Sequence, residues 1–196
     1  MQKLFLFILL VIGPSTLIAQ YSSPETIVLS KKEQRKLSRE YRLSEKREEA
    51  EKSNKIIQYL VQGQRFILKA DYISGNTGRR YAANSILNFI SVDSLDAIIQ
   101  LGSSTGIGYN GVGGITIDGR VTNYKLEEKQ NKKGFINYSI TLYVTSSLGV
   151  FDIQIWVSSS GNADATVRGN YSGAVTFSGK LVPLGQSQIY KGMSSL

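Results

Sequence analysis

The chain has 196 residues, 41% of them hydrophobic and 19% charged, with a formal net charge of +8. Less a leader, that length suits one domain with a real core, and 11 Tyr and 19 Gly against 3 Pro lean towards β-structure rich in turns. It contains neither Cys nor His, which excludes disulfides, thiolate nucleophiles, Cys/His zinc sites and every catalytic scheme built on imidazole. No cofactor or metal is expected.

The positive charge is unevenly placed. Lys3 lies near the start, and about half of the remaining excess falls between Lys31 and Lys55. These basic residues lack the interleaved aromatics on which bases stack, so nucleic acid is not an expected partner.

Residues 1–19 read as a signal peptide. Lys3 supplies the positive n-region, Leu4 to Ile12 is an unbroken apolar run, Gly13-Pro14 ends it, and Ala19 offers a small residue for cleavage before Gln20. Nine apolar residues are too few to span a bilayer, so no transmembrane segment is expected in the mature chain. The expected compartment is the periplasm or the exterior.

Residues 20–29 read as a linker and 30–63 as a charged helix. Ser30 and Glu33 form a capping box, in which hydroxyl and carboxylate satisfy the first free backbone amides. Glu48/Lys52 and Glu51/Lys55 stand at supportive spacing, and Gly63 is the expected stop. Only Ile56, Ile57, Leu60 and Val61 are dense enough to dock on the body.

Over residues 64–196 the period switches to two, which defines a β domain. Strands are predicted at 65–73, 88–92, 96–101, 114–117, 121–128, 135–145, 150–158, 163–168 and 174–182, with Asp118-Gly119 as a tight turn. Folding the chain between Ser147 and Leu148 pairs Val144 with Phe151, Leu142 with Ile153, Ile140 with Ile155 and Tyr138 with Val157. The other face then carries Tyr143/Asp152, Thr141/Gln154 and Ser139/Trp156. A slip of one residue would mix the faces throughout. Short connections without crossover helices imply a mainly β fold, an antiparallel meander closing as a barrel or stacking as a two-layer sandwich.

Several stretches in order carry a resemblance: Arg65 to Asp71, Asn88 to Asp93, Ala97 to Gly102, Gly113 to Gly119, Ser158 to Val167 and Gly179 to Leu184. Over Lys31 to Leu184 the chain resembles the bacterial family catalogued as domain of unknown function 4251, exported proteins found largely among the Bacteroidetes. The resemblance implies compartment and fold but no substrate.

Arg35, Arg39, Arg42 and Lys46 share one helix face, a basic stripe suited either to solvent or to an anionic surface. The carboxylate pairs Asp93/Asp96 and Glu127/Glu128 read as turn and edge residues and not as a hydrolytic pair facing across a cleft. Gly106 to Gly119 reads as a loop or as a flexible rim over a pocket. Arg79, Arg80, Tyr81, Tyr109 and Arg120, in or beside loops, are candidates to grip an anionic or sugar-like ligand. Trp156 is a further candidate for ligand stacking or for contact with the helix. The expected function is a non-enzymatic, exported binding or interaction module. The alternatives are a structural or stress-related envelope factor without a small ligand and, less favoured, a carboxylate-based hydrolase.

Overall fold

The computed structural model describes residues 30–103, 110–132, 134–170 and 173–195. The expected signal peptide and linker, and Tyr109, lie outside these. The chain divides into two units, Met1–Arg39 and Glu40–Leu196.

In the first unit the described residues open helix α1 (Lys31–Gln62). The capping box forms as expected: Ser30 Oγ donates to Glu33 Oε2 at 2.7 Å, and the Ser30 amide donates to the same oxygen at 2.9 Å. The Glu33 amide donates back to Ser30 Oγ at 3.3 Å. These bonds, the hydroxyl's first, hold the Glu33 carboxyl below its usual pKa.

In the second unit α1 ends and the sheet begins. The strands are β1 (Arg65–Ser74), β2 (Arg80–Ala82), β3 (Phe89–Asp93), β4 (Asp96–Leu101), β5 (Ile115–Gln130), β6 (Ile136–Ser146), β7 (Gly149–Val157), β8 (Asn162–Arg168) and β9 (Ala174–Val182). From β3 to β9 each pairs antiparallel with the next, and β1 pairs with both β3 and β9. Eight strands therefore close a barrel, and β2 adds a short ninth beside Tyr72–Ser74 of β1. The sandwich alternative falls away.

The β6–β7 hairpin adopts the expected register at every pair, from Tyr138/Val157 to Val144/Phe151. Its inward residues Ile140, Leu142, Val144, Ile153 and Val157 are fully buried, and Gln154 and Trp156 face outward.

Two expectations need correction. Asp118-Gly119 is no turn: both residues lie within β5, opposite Ile98 and Ala97. Gly119 is required there by packing, because a Cβ would lie 2.5 Å from Val144 Cγ1 and 2.8 Å from the Thr145 carbonyl oxygen. The long strand bends instead at a bulge between Val121 and Asn123. The second correction concerns the helix patch. Ile57, Leu60 and Val61 are buried, but Ile56 is 53% exposed, because 57, 60 and 61 share a face at i, i+3 and i+4 and residue 56 is turned off it.

The three buried helix residues join one core cluster with Tyr138, Val157 and Leu181, so α1 stops the end of the barrel at which β1 begins. Tyr124 fixes this stop, its hydroxyl donating to the Val61 carbonyl at 2.6 Å, one of the carbonyls a helix end leaves free. Burial pushes the Tyr124 phenol well above its ordinary pKa. The folded value thus exceeds the unfolded one near 10. Its contribution to stability is whole below pH ~10 and is lost as pH rises towards the folded value. Urea unfolding at a series of alkaline pH values should show a shallower loss of stability in Tyr124→Phe than in the native chain.

The hairpin supplies a sharper test. Ile140→Ala and Ile155→Ala should each destabilise by roughly 2–5 kcal/mol, whereas Thr141→Ala and Gln154→Ala should cost on the order of 0.5 kcal/mol. Since the two isoleucines are cross-strand partners, a double-mutant cycle by urea unfolding should be non-additive.

Candidate functional site

The barrel interior is filled unevenly. Around the helix-stopped end Phe66, Leu68, Tyr138, Ile140 and Ile155 are at most 1% exposed, as dense as any core. At the opposite end the inward side chains stop short of filling the space. Ile99 and Leu101 of β4, Ile115 and Ile117 of β5, Phe151 of β7 and Val175 of β9 line a cup of about 390 Å³. Four of these six, Leu101, Ile115, Phe151 and Val175, are only partly buried. The lining is nearly all hydrocarbon, and Asn76 stands at the rim. Asn76 Oδ1 accepts the Ala174 N–H at 2.6 Å, which ties the β1–β2 loop to the start of β9. Mouths of β-barrels are recurrent ligand sites, and a volume of this order is within their usual range.

Beside this mouth a polar cluster lies on the outer wall under a strap formed by residues 190–195. Gln100, outward on β4, is nevertheless 0% exposed. Its amide donates to the carbonyls of Leu87 at 3.1 Å and Tyr190 at 2.8 Å. Its oxygen accepts from Thr116 Oγ1 at 2.9 Å and from the Gly192 amide at 2.8 Å. Asn110 extends the network by accepting the Val112 and Gly114 amides and donating to the Leu101 carbonyl. The strap's Met193 amide in turn reaches the Asn110 carbonyl at 3.0 Å. Lys191 and Ser194 both reach the Asp118 carboxylate. Gln100, Asn110 and Asp118 are thus all tied to the strap.

The six residues expected to grip a ligand do not all converge on one site. Arg80 and Tyr81 are on β2 at the C-terminal half of β1, with Arg79 just before them. Arg120 is level with the other end of β1: it pairs with Asp96, which pairs with Asp93, the partner of Arg65. Its Nε is 4.0 Å from Asp96 Oδ1. Trp156 stands on the outer wall between Ser139 and Asp164, 47% exposed. Tyr109 is outside the described residues. Arg79, Arg80, Tyr81 and Arg120 share a position in or beside connections, but the strands separate the two ends of the barrel.

The carboxylate pairs sit on the surface. Asp93 meets Arg65 at 2.9 Å, and Glu127 meets Lys125 at 2.7 Å. The Glu127 carboxyl is held low and the Lys125 amine high, each chiefly by hydrogen bonding to the other. Glu128 accepts from Gln62 at 3.1 Å. Arg35 and Arg39 in the first unit, and Arg42 and Lys46 in the second, are helical and exposed. A wide open groove of about 1000 Å³ runs between residues 43–58 of the helix and Gly134–Phe135, but charged and polar side chains line most of it.

With this geometry in hand, the family model described as "Domain of unknown function (DUF4251)" matches residues 47–181. The chain belongs to this family. A crystal structure of a DUF4251 family protein from Bacteroides eggerthii is similar, with a TM-score of 0.55 and 26% identity. The similarity covers 70% of this chain and 91% of that one. No curated protein matches the chain significantly. The matched span takes in the end of the helix and β1 to β8 in full, so this DUF4251 chain carries its cup within the family's common region.

Replacing Gln100 by Leu removes four hydrogen bonds at once and leaves the buried Thr116 hydroxyl without its acceptor. Unsatisfied buried groups cost about 1–3 kcal/mol each, so the variant should lose about 3 kcal/mol in urea unfolding. It should also free the strap, seen as faster tryptic cleavage after Lys191.

Proposed function

We propose that the chain is an exported, non-enzymatic binding module that takes a small apolar or amphipathic ligand into the mouth of its barrel. The observation that carries this reading is the apolar cup of about 390 Å³ at one end of a barrel whose other end is packed and stopped by a helix. The amino-terminal pattern of Lys3 followed by Leu4 to Ile12 supports action in the periplasm or outside the cell. A ligand with a hydrocarbon tail suits the site: the tail displaces water from the lining, and a polar head stays at the rim beside Asn76.

The test is displacement of the fluorescent probe N-phenyl-1-naphthylamine by straight-chain fatty acids of increasing length. Each buried methylene contributes about 0.8 kcal/mol, so affinity should rise about fourfold per methylene and level off once the cup is full. Val175→Trp, which fills the mouth from a partly buried position, should weaken binding at least tenfold. Absence of a length dependence, or undiminished binding in Val175→Trp, overturns the reading.

A further inference from the structure

A second hollow opens on the outside of the barrel, and its chemistry is the opposite of the cup's. It is an open depression of about 230 Å³ between β1, β2, β8 and β9, bordered by Asp71, Tyr72, Arg80, Asn162, Asp164 and Ser178. We propose that this hollow is a binding site for a neutral oligosaccharide.

The local backbone is built to present these groups. Along β1 the pleat alternates until the bulge between Ala70 and Tyr72. There one extra residue lets both Asp71 and Tyr72 face outward, and both are exposed. Bulges of this kind re-aim side chains at sites. The floor is low because Gly179 and Ala163 lie under it. A Cβ on Gly179 would collide with the Lys69 carbonyl, so the closing ladder itself demands glycine.

The groups in the hollow are both donors and acceptors. Among the described residues neither Asp71 nor Asp164 makes a side-chain hydrogen bond or ion pair. The Arg80 guanidinium lies 4.8 Å over the Tyr72 ring, not on a carboxylate. Two unpaired carboxylates disfavour an anion, and Arg80 disfavours a cation. Vicinal hydroxyl groups suit both: they donate to Asp71 and Asp164 and accept from Arg80 and the Asn162 amide.

Trp156 extends the surface. It pairs with Asp164, which pairs with Ser178, which pairs with Tyr72. All four point outward in one lateral row, and the Trp156 ring is 47% exposed. Three steps of about 4.8 Å give a row about 14 Å long, the span of a short oligosaccharide. One sugar ring sits in the hollow, and the next lays its C–H face on the indole.

The protein has one Trp, so a single indole N–H signal in the ¹⁵N–¹H spectrum reports this site. Titration with cellotriose, laminaritriose, maltotriose and N,N′,N″-triacetylchitotriose should move that signal and the Asp164 and Ser178 amides saturably for at least one sugar. Asp164→Asn and Trp156→Ala should each weaken that binding at least tenfold, with unfolding transitions unchanged since both side chains are exposed. Binding of dodecanoate in the mouth should be the same in both variants, so the two readings fail separately. No saturable shift with any of the four sugars overturns the proposal, as do shifts confined to mouth residues such as Leu101 and Val175. So does undiminished binding in both variants.

Discussion

The pairing of β1 with β9 decides what the rest of the molecule must do. Lys69 faces Lys180 and Ala70 faces Gly179 across this seam, and once it forms, a nine-strand meander has no long free edge left to aggregate. Closure also encloses a volume fixed by strand number and tilt. That volume has to be filled by side chains, stopped by another element, or left open. All three solutions occur along the axis of this barrel.

At the end where β1 begins, aromatic and branched side chains fill the space, and Ile57, Leu60 and Val61 of α1 cover it. Tyr124 makes the stop specific as well as apolar, because its hydroxyl takes up a carbonyl that the helix terminus would otherwise leave without a partner. At the other end β4, β5 and β9 contribute Leu101, Ile115 and Val175, which are too short to meet across the axis. Beside this end the strap over Gln100 is tied to the wall through Gln100, Asn110 and Asp118.

Much of the fold was legible because period two is a strong constraint. From Tyr138 to Val144 in β6 and from Phe151 to Val157 in β7 every second residue is apolar, and a single register satisfies both faces. The helix start was legible for a similar reason, since Ser30 and Glu33 satisfy each other's amides within one turn. Gly119 misled because glycine has two uses: it permits a turn, and it permits a close approach of neighbouring strands. Only the positions of Val144 and Thr145, some 25 residues on, show which applies. The strap was invisible for the same kind of reason, as Gln100 is joined to Gly192 across 92 positions by a bond that leaves no local pattern. The candidate sites were less legible still. Leu101, Ile115 and Val175 look like any core-facing strand residues, and only their partial burial at the barrel mouth makes them a lining. Arg80 and Trp156 stood out as residue types, but which neighbours they have depends on the closure of β1 on β9.

That closure also explains why an apolar cup and a polar hollow can share one wall. Phe177 points inward and is fully buried, whereas Ser178, one peptide further on, faces the outer hollow. The same alternation separates Val167 from Thr166 and Ile155 from Trp156. A strict pleat thus gives each face its own chemistry, and a change on one side reaches the other only through the backbone. The seam departs from that rule at Asp71, where the bulge spends two successive residues on the outside. The bulge lies next to the closest approach of the seam, where Gly179 and the Lys69 carbonyl leave no room for any other residue. The departure places a carboxylate and a ring together above the floor that Gly179 keeps low, so the constraint that shuts the barrel also shapes the hollow on its outside.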